Sequence, residues 1–181
     1  MHEVSLGKTI QDYLTGEMME ETTYEELRQG IARVLVEEKG FAREDVRPRL
    51  ELHLQIDDNP VVGRLDFGVF EGKKPLLLLL FCPGEVGTFL REGLAAARLL
   101  DPPFPLVAVT DTREAILAAS ADGQVLAQGY QALPSKEHAQ ELAREHGPPA
   151  LSNEQRAKEA RLFYAYTGYH SCCTAGCQAK T

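Results

Sequence analysis

Gly63-Arg64-Leu65-Asp66-Phe67-Gly68-Val69-Phe70-Glu71-Gly72-Lys73-Lys74 runs straight into Pro75-Leu76-Leu77-Leu78-Leu79-Leu80-Phe81-Cys82-Pro83-Gly84, and these two runs decide the fold. Each is short and apolar, and Glu71-Gly72-Lys73-Lys74 between them has turn chemistry, so together they form a hairpin. Leu76 to Phe81 shows no polar alternation, the mark of a central strand covered on both faces. The first run carries Asp66 among Leu65, Phe67 and Val69, where an ionised carboxylate is costly without a partner. A backbone N–H, or an arginine such as Arg64 or Arg91, would supply one. Past Pro83-Gly84 a helix is expected from about Gly87 to Leu100, with Phe89, Leu90, Leu94, Ala97 and Leu100 inward and Ala95–Ala97 allowing close packing. Leu106 to Thr110 then reads as a buried strand, parallel to the second run if that helix is its crossover.

A strand with Asp66, a hairpin, and a second strand entering Pro83-Gly84 resemble the core of the PD-(D/E)XK nuclease superfamily. The nearest likeness is to the N-terminal nuclease domain of type I restriction enzyme R subunits, over roughly Tyr24 to Gln140. The resemblance implies a restriction-endonuclease-like α/β fold: a central mixed sheet of four or five strands flanked by helices. It also implies a Mg²⁺ site on DNA-cleaving carboxylates, with Asp66 as one of them. The family's second strand carries Glu-x-Lys before Pro-Gly; aligned on Pro83-Gly84, those positions hold Leu79 and Phe81. The Gln-x-x-x-Tyr pair of the following helix has no counterpart in Glu92–Leu100. The first core helix of such nucleases often adds a glutamate to the metal site; Glu25 takes that place here, with Glu26 and Glu37 as the other candidates.

The rest of the chain divides into an acidic arm (1–21), a core domain (22–150), and a C-terminal helix with a cysteine-rich tail (151–181). Ile10 and Leu14 hint at a short helix in the arm. Thr23 with Glu26 is a capping box that opens a helix through Leu27, Ile31, Val34 and Leu35, stopped by Gly40. Leu50, Leu52, Leu54 and Ile56 alternate with Glu51, His53, Gln55 and Asp57 as a half-buried strand, which places His53 on its polar face. Asp57-Asp58-Asn59-Pro60 is a turn that lacks the spaced oxygens of a calcium loop. Asp111 to Ala119 is expected to be a short capped helix or turn, and Gln124 to Ala127 a small strand. A helix should follow Pro134-Ser135 to His146, and a second capping box, Ser152 with Gln155, should start a last helix to about Tyr166.

The 181 residues carry a net charge of −8, which excludes non-specific nucleic-acid binding by charge alone. Residues 1–38 hold nine acidic and three basic side chains, residues 39–74 seven of each, so no basic stripe tracks a phosphate backbone. Hydrophobic residues at 44% and charged residues at 25% suit an ordinary domain with a proper core. The run Leu76–Phe81 is far too short to cross a membrane, and no leader pattern opens the chain, so a cytoplasmic location is expected.

A nuclease of this kind needs two or more carboxylates on Mg²⁺ or Mn²⁺ and a lysine beside the developing charge. With Leu79 and Phe81 in place the leading expectation is a degenerate nuclease, acting as a nucleic-acid-associated or protein-interaction module, with a protein partner or homo-oligomer open. An alternative is an active metal-dependent endonuclease using Asp66, Glu25 and a migrated carboxylate, Glu85 or Glu92, with Lys73 or Lys74. A third is a metal or redox sensor: His170, Cys172, Cys173 and Cys177 fall within eight residues and offer a zinc set, or, with Cys82, four thiolates for an iron–sulfur cluster. The aromatics Phe163, Tyr164, Tyr166 and Tyr169 just before them suit the docking face of the last helix.

Overall fold

The computed structural model describes residues 3–57 and 59–174, the last seven of them by backbone alone. Its centre is a mixed sheet of six strands in chain order: β3 (Val46–Ile56), β4 (Asn59–Glu71), β5 (Lys74–Phe81), β6 (Leu106–Thr110), β7 (Ala115–Ala119) and β8 (Val125–Gly129). Every neighbouring pair is antiparallel except β5 and β6, which α2 (Val86–Leu99) joins as a parallel crossover. Glu71 pairs with Lys74 across a two-residue turn, and Gly72 takes φ 61° at its first central position, a conformation that glycine adopts without strain. β5 is buried from Pro75 onward, as its unbroken apolar run requires.

Two layers cover the sheet. On one face Leu94, Ala95, Ala96 and Ala97 of α2 meet Leu78, Leu80, Val107 and Val109. A methyl group on Gly93 would press on Val107, Leu80 and Val109, so helix and sheet meet at backbone distance there. α4 (Asn153–Thr174) packs beside α2 and inserts Phe163 over Gly63. On the other face lie α1 (Glu25–Arg33), which continues as a wider turn over Val34–Glu38, and α3 (Lys136–His146). Fully buried leucines such as Leu35, Leu77 and Leu79 contribute about 1.5–3 kcal/mol each against exposure.

Several local expectations hold. Gly40 (φ 77°) ends the first helix, and the Phe41 N–H donates to Leu35 O at 3.1 Å. Ser152 and Gln155 form the reciprocal capping box, with N···O distances of 2.8 and 3.2 Å. The last helix runs further than expected, to Thr174.

Others need correction. The N-terminal segment is not a helix but a hairpin, β1 (Ser5–Gln11) with β2 (Met18–Thr22), because Asp12 accepts the Leu14 and Thr15 N–H groups at 2.8 Å each and turns the chain. Thr23 does not cap α1: its hydroxyl accepts from the Val4 N–H, and Thr22 accepts from the Glu25 N–H at 3.0 Å. Asp111–Ala119 is a turn followed by a strand. Asp111 Oδ1 accepts the Arg113 and Glu114 N–H groups at 2.8 and 2.7 Å, and the chain reverses through Thr112 (φ 79°) into the wholly buried β7. The side-chain bond that caps a helix serves here to close a turn. The sheet therefore has six strands, where four or five were expected.

Candidate functional site

Asp66 projects from β4 toward α1, with both carboxylate oxygens engaged. Oδ1 accepts from Arg28 Nε at 2.7 Å and Oδ2 from the Phe81 backbone N–H at 2.8 Å. The backbone donor was an expected class of partner; the arginine is a correction, since it is Arg28 of α1 and not Arg64 or Arg91, and Arg91 turns instead to Glu159 at 3.2 Å. The Arg28 guanidinium also reaches Glu3 Oε1 at 2.9 Å and Glu25 Oε2 at 3.6 Å. The fold thus brings Asp66 and Glu25 to one place, with a guanidinium between them.

A second arginine extends the cluster. Pro48 pairs with Phe67 and Leu50 with Leu65, and Arg49 between them takes φ 53°. Its side chain turns to the α1 face, where Nη2 lies 2.7 Å from Asp12 Oδ2 and 3.0 Å from Glu25 Oε1, while Leu50 packs on the opposite face. Gln29 joins in, donating to Glu25 Oε1 at 2.6 Å and accepting from the Tyr13 N–H at 2.6 Å. The hairpin β1–β2 is therefore pinned over the site through Glu3 and Asp12.

The electrostatics follow from this packing. Burial pushes the Asp66 carboxyl up from the usual aspartate range, opposed by Arg28 and the Phe81 N–H and reinforced by the negative charge of Glu25. Burial works against the Arg28 charge, but Asp66 and Glu3 outweigh it and raise the guanidinium above its ordinary value. Burial also works against Asp12, yet the Thr15 and Leu14 N–H groups and Arg49 hold it below the usual range. Glu3 is lowered in the same way by Thr22 and Arg28.

This arrangement does not fit a divalent cation. Arg28 already supplies the positive charge between Asp66 and Glu25, and the cavity that both carboxylates line measures about 10 Å³, room for about one water. Mg²⁺ keeps several waters and an octahedral shell. Among the described residues no group of three or more His, Cys, Asp or Glu side chains is placed to hold an ion. The positions aligned with the nuclease Glu and Lys are filled by Leu79 and Phe81, both buried. The Phe81 ring meets Tyr24 edge-on at 5.6 Å and lies 5.9 Å from the Arg28 guanidinium.

The residues weighed as replacements form no metal-holding group with Asp66 among the described residues. Glu85 is exposed at the N-terminal cap of α2. Glu92 lies 3.4 Å from the Thr167 hydroxyl of α4; burial, with Asp66 adding to it, pushes its carboxyl up to about 7. Lys73 and Lys74 stand at the opposite end of β5 from Phe81, roughly 23 Å away by strand rise. Glu37 accepts from the Tyr13 hydroxyl at 3.1 Å, Glu26 is exposed, and His53 is exposed beside Glu51. Cys82 is buried with its Sγ 3.5 Å from Gly84 O, and burial pushes its thiol up to about 11. The side chains of His170, Cys172 and Cys173, and all of Cys177, lie outside the described residues.

Two further features had no signal in the residue pattern. Glu159 of α4 accepts from Arg98 at 2.7 Å and Arg91 at 3.2 Å through Oε1, fixing α4 on α2. A cleft of about 1050 Å³ opens between α1, α3 and the β7–β8 face, with Leu27 and Gly30 on one wall, His138 and Leu142 on the other and Leu117 and Leu126 as floor. Compared with protein-family models, curated proteins and solved structures, the chain matches none.

Proposed function

We propose that this protein is a catalytically retired relative of the PD-(D/E)XK nucleases, resembling the N-terminal nuclease domain of type I restriction R subunits, whose restriction-endonuclease-like core now serves as an interaction module. The order of parts supports this reading: α1 with Glu25, then the strand with Asp66, a hairpin, a strand entering Pro83-Gly84, and a helix crossing to a parallel strand. The observation that carries it is the Arg28 guanidinium between Asp66 and Glu25. A fixed organic cation pairs with the two carboxylates that a nuclease would place on a metal. Leu79 and Phe81 remove the other two charged groups from the core, which lowers the desolvation cost of the site. With a net charge of −8 and no basic stripe, the surface suits a protein partner better than bare nucleic acid.

The test is cleavage of single- and double-stranded DNA with Mg²⁺ or Mn²⁺, with Asp66→Ala as control, alongside calorimetric titration with each ion. The expected outcome is no cleavage by either protein and no saturable ion binding. Cleavage that disappears in Asp66→Ala would overturn the retired-enzyme reading.

A further inference from the structure

Residues 3–22, the N-terminal hairpin, hold five acidic side chains and one basic, a net −4 of the −8 carried by the whole chain. The strands pack mainly on each other, with α1 as the next neighbour of β2, and β1 is exposed at every position except Ile10. The tip is what fastens the hairpin to the body. Asp12, only 2% exposed, lies 2.7 Å from Arg49. Gln29 accepts the Tyr13 N–H at 2.6 Å, and the guanidinium groups of Arg33 and Arg43 lie 5.5 and 4.8 Å from the Tyr13 ring centre. Tyr13 and Leu14 add half-buried contacts with the core. The tip also holds its own shape. Asp12 Oδ1 accepts the Leu14 and Thr15 N–H groups, the Gly16 N–H donates to Asp12 O, and the Asp12 N–H donates to Glu17 O, all at 2.8 Å.

We propose that Gln29, Arg33, Arg43 and Arg49 form a receptor for an acidic turn of a partner protein, with tyrosine after aspartate, and that Asp12-Tyr13 fills it in cis as an autoinhibitory plug. The resident plug shows what the receptor takes. Arg49 pairs with a carboxylate, and Arg33 and Arg43 take an aromatic ring. Gln29 takes a backbone N–H, which a peptide offers and a phosphate backbone lacks. A two-stranded hairpin with little apolar burial is marginal by itself, so it can lift while the six-stranded sheet stays folded. The groups it leaves are then free for a second turn of the same chemistry. The choice of a protein partner rests on the interaction-module reading; the plug rests on the hairpin alone.

The test is fluorescence anisotropy of a labelled synthetic peptide of residues 9–17 against three full-length proteins. These are the wild type, an Asp12→Asn, Tyr13→Ala variant, and the same variant with Arg49→Gln added. The double variant is expected to bind the peptide. The wild type should bind it about tenfold or more weakly, because a closed plug scales apparent affinity by its open fraction. Adding Arg49→Gln should remove the gain. A double variant with the far-ultraviolet circular dichroism of the wild type that ignores the peptide would overturn the proposal. So would a wild type that binds as well as the double variant, or equal binding of a peptide with Asp12→Asn and Tyr13→Ala. A double variant that prefers a single-stranded oligodeoxynucleotide to the peptide would overturn it too. Should the double variant fail to fold, hydrogen exchange of the wild type decides. Amides of β1 and β2 must exchange through an opening that added salt speeds and that β5 and β6 do not share; exchange of all four together overturns the plug. None of these readouts involves DNA cleavage, so the retired-enzyme reading and the plug fail separately.

Discussion

Arg28 Nε lies 2.7 Å from Asp66 Oδ1, so a side chain of the first helix closes the carboxylate in the middle of the central hairpin. Glu25, three residues earlier on the same helix, takes the far side of that guanidinium at 3.6 Å. A helix spacing of three thus brings a carboxylate and its counter-charge to the strand together. The Asp66 oxygens are held by a cation of fixed geometry and by the Phe81 N–H, which leaves them no room to organise water around a metal.

Breaking this pair from one side should be costly. Arg28→Met removes the charge that offsets burial of Asp66, and a loss of about 2–3 kcal/mol is expected, somewhat below the range for fully buried pairs because the side chains are 24% and 15% exposed. Adding Asp66→Asn removes the orphaned charge while an amide oxygen can still accept from Phe81, so the double variant should recover more than half of the loss. Urea melts of these two variants and of Asp66→Asn alone check this; a double-variant loss equal to the sum of the single losses would show that the pair is not coupled.

Stability should fall as pH rises from about 5 to 7, and Glu92 is the reason. Its carboxyl is raised from 4.5 to about 7, so between those values the folded state holds a proton that the unfolded state has released. Excess protons on the folded side mean that stability is present below the lower value and lost through the upper one. Asp66, also raised, adds loss of the same sign, while the lowered Asp12 and Glu3 contribute stability that disappears only at more acid pH. Glu92→Gln should flatten the slope between pH 5 and 8 and gain about 1–2 kcal/mol at pH 8, allowing for solvent screening. Denaturation at a series of pH values measures both.

The legible part of this fold lay where composition has one physical outcome. Five successive leucines at 76–80 ending near Pro83-Gly84 can only be a covered strand, and Gly72 in a two-residue gap can only be its turn. β7 was hidden because Ala-Ile-Leu-Ala-Ala has the same composition as a buried helical turn, and period does not separate the two over five residues. The N-terminal hairpin was hidden because it is held by Asp12 on Arg49, 37 residues apart, and not by an apolar stripe. At the site, Asp66 and Glu25 could be picked from the resemblance, and their meeting needed only the order of elements. That Arg28 would stand between them had no local signal, since an i,i+3 Glu–Arg pair on a helix usually faces water.

α4 is seated on the sheet through a single absent side chain. A methyl group on Gly63 of β4 would overlap the Phe163 ring, whose side chain is among the fully buried ones. Gly63→Ala should therefore cost about 1–3 kcal/mol as overpacking. Gly63→Ala with Phe163→Leu should cost less than the sum of the two single changes, since the smaller side chain leaves room for the methyl. Thermal melts of the three proteins test the contact; strict additivity would place Phe163 elsewhere.

Cys82 gives the last prediction. Its thiol is enclosed between sheet and α2, shares its hydrogen with Gly84 O, and is pushed up to about 11, so at pH 8 almost none of it is thiolate. Since the thiolate is the reactive form, iodoacetamide at pH 8 should leave Cys82 unmodified in the folded protein and modify it fully in urea. Peptide mass mapping separates Cys82 from Cys172, Cys173 and Cys177. Rapid native labelling of Cys82 would mean that the β5–α2 junction opens, exposing the Phe81 N–H that holds Asp66 in place.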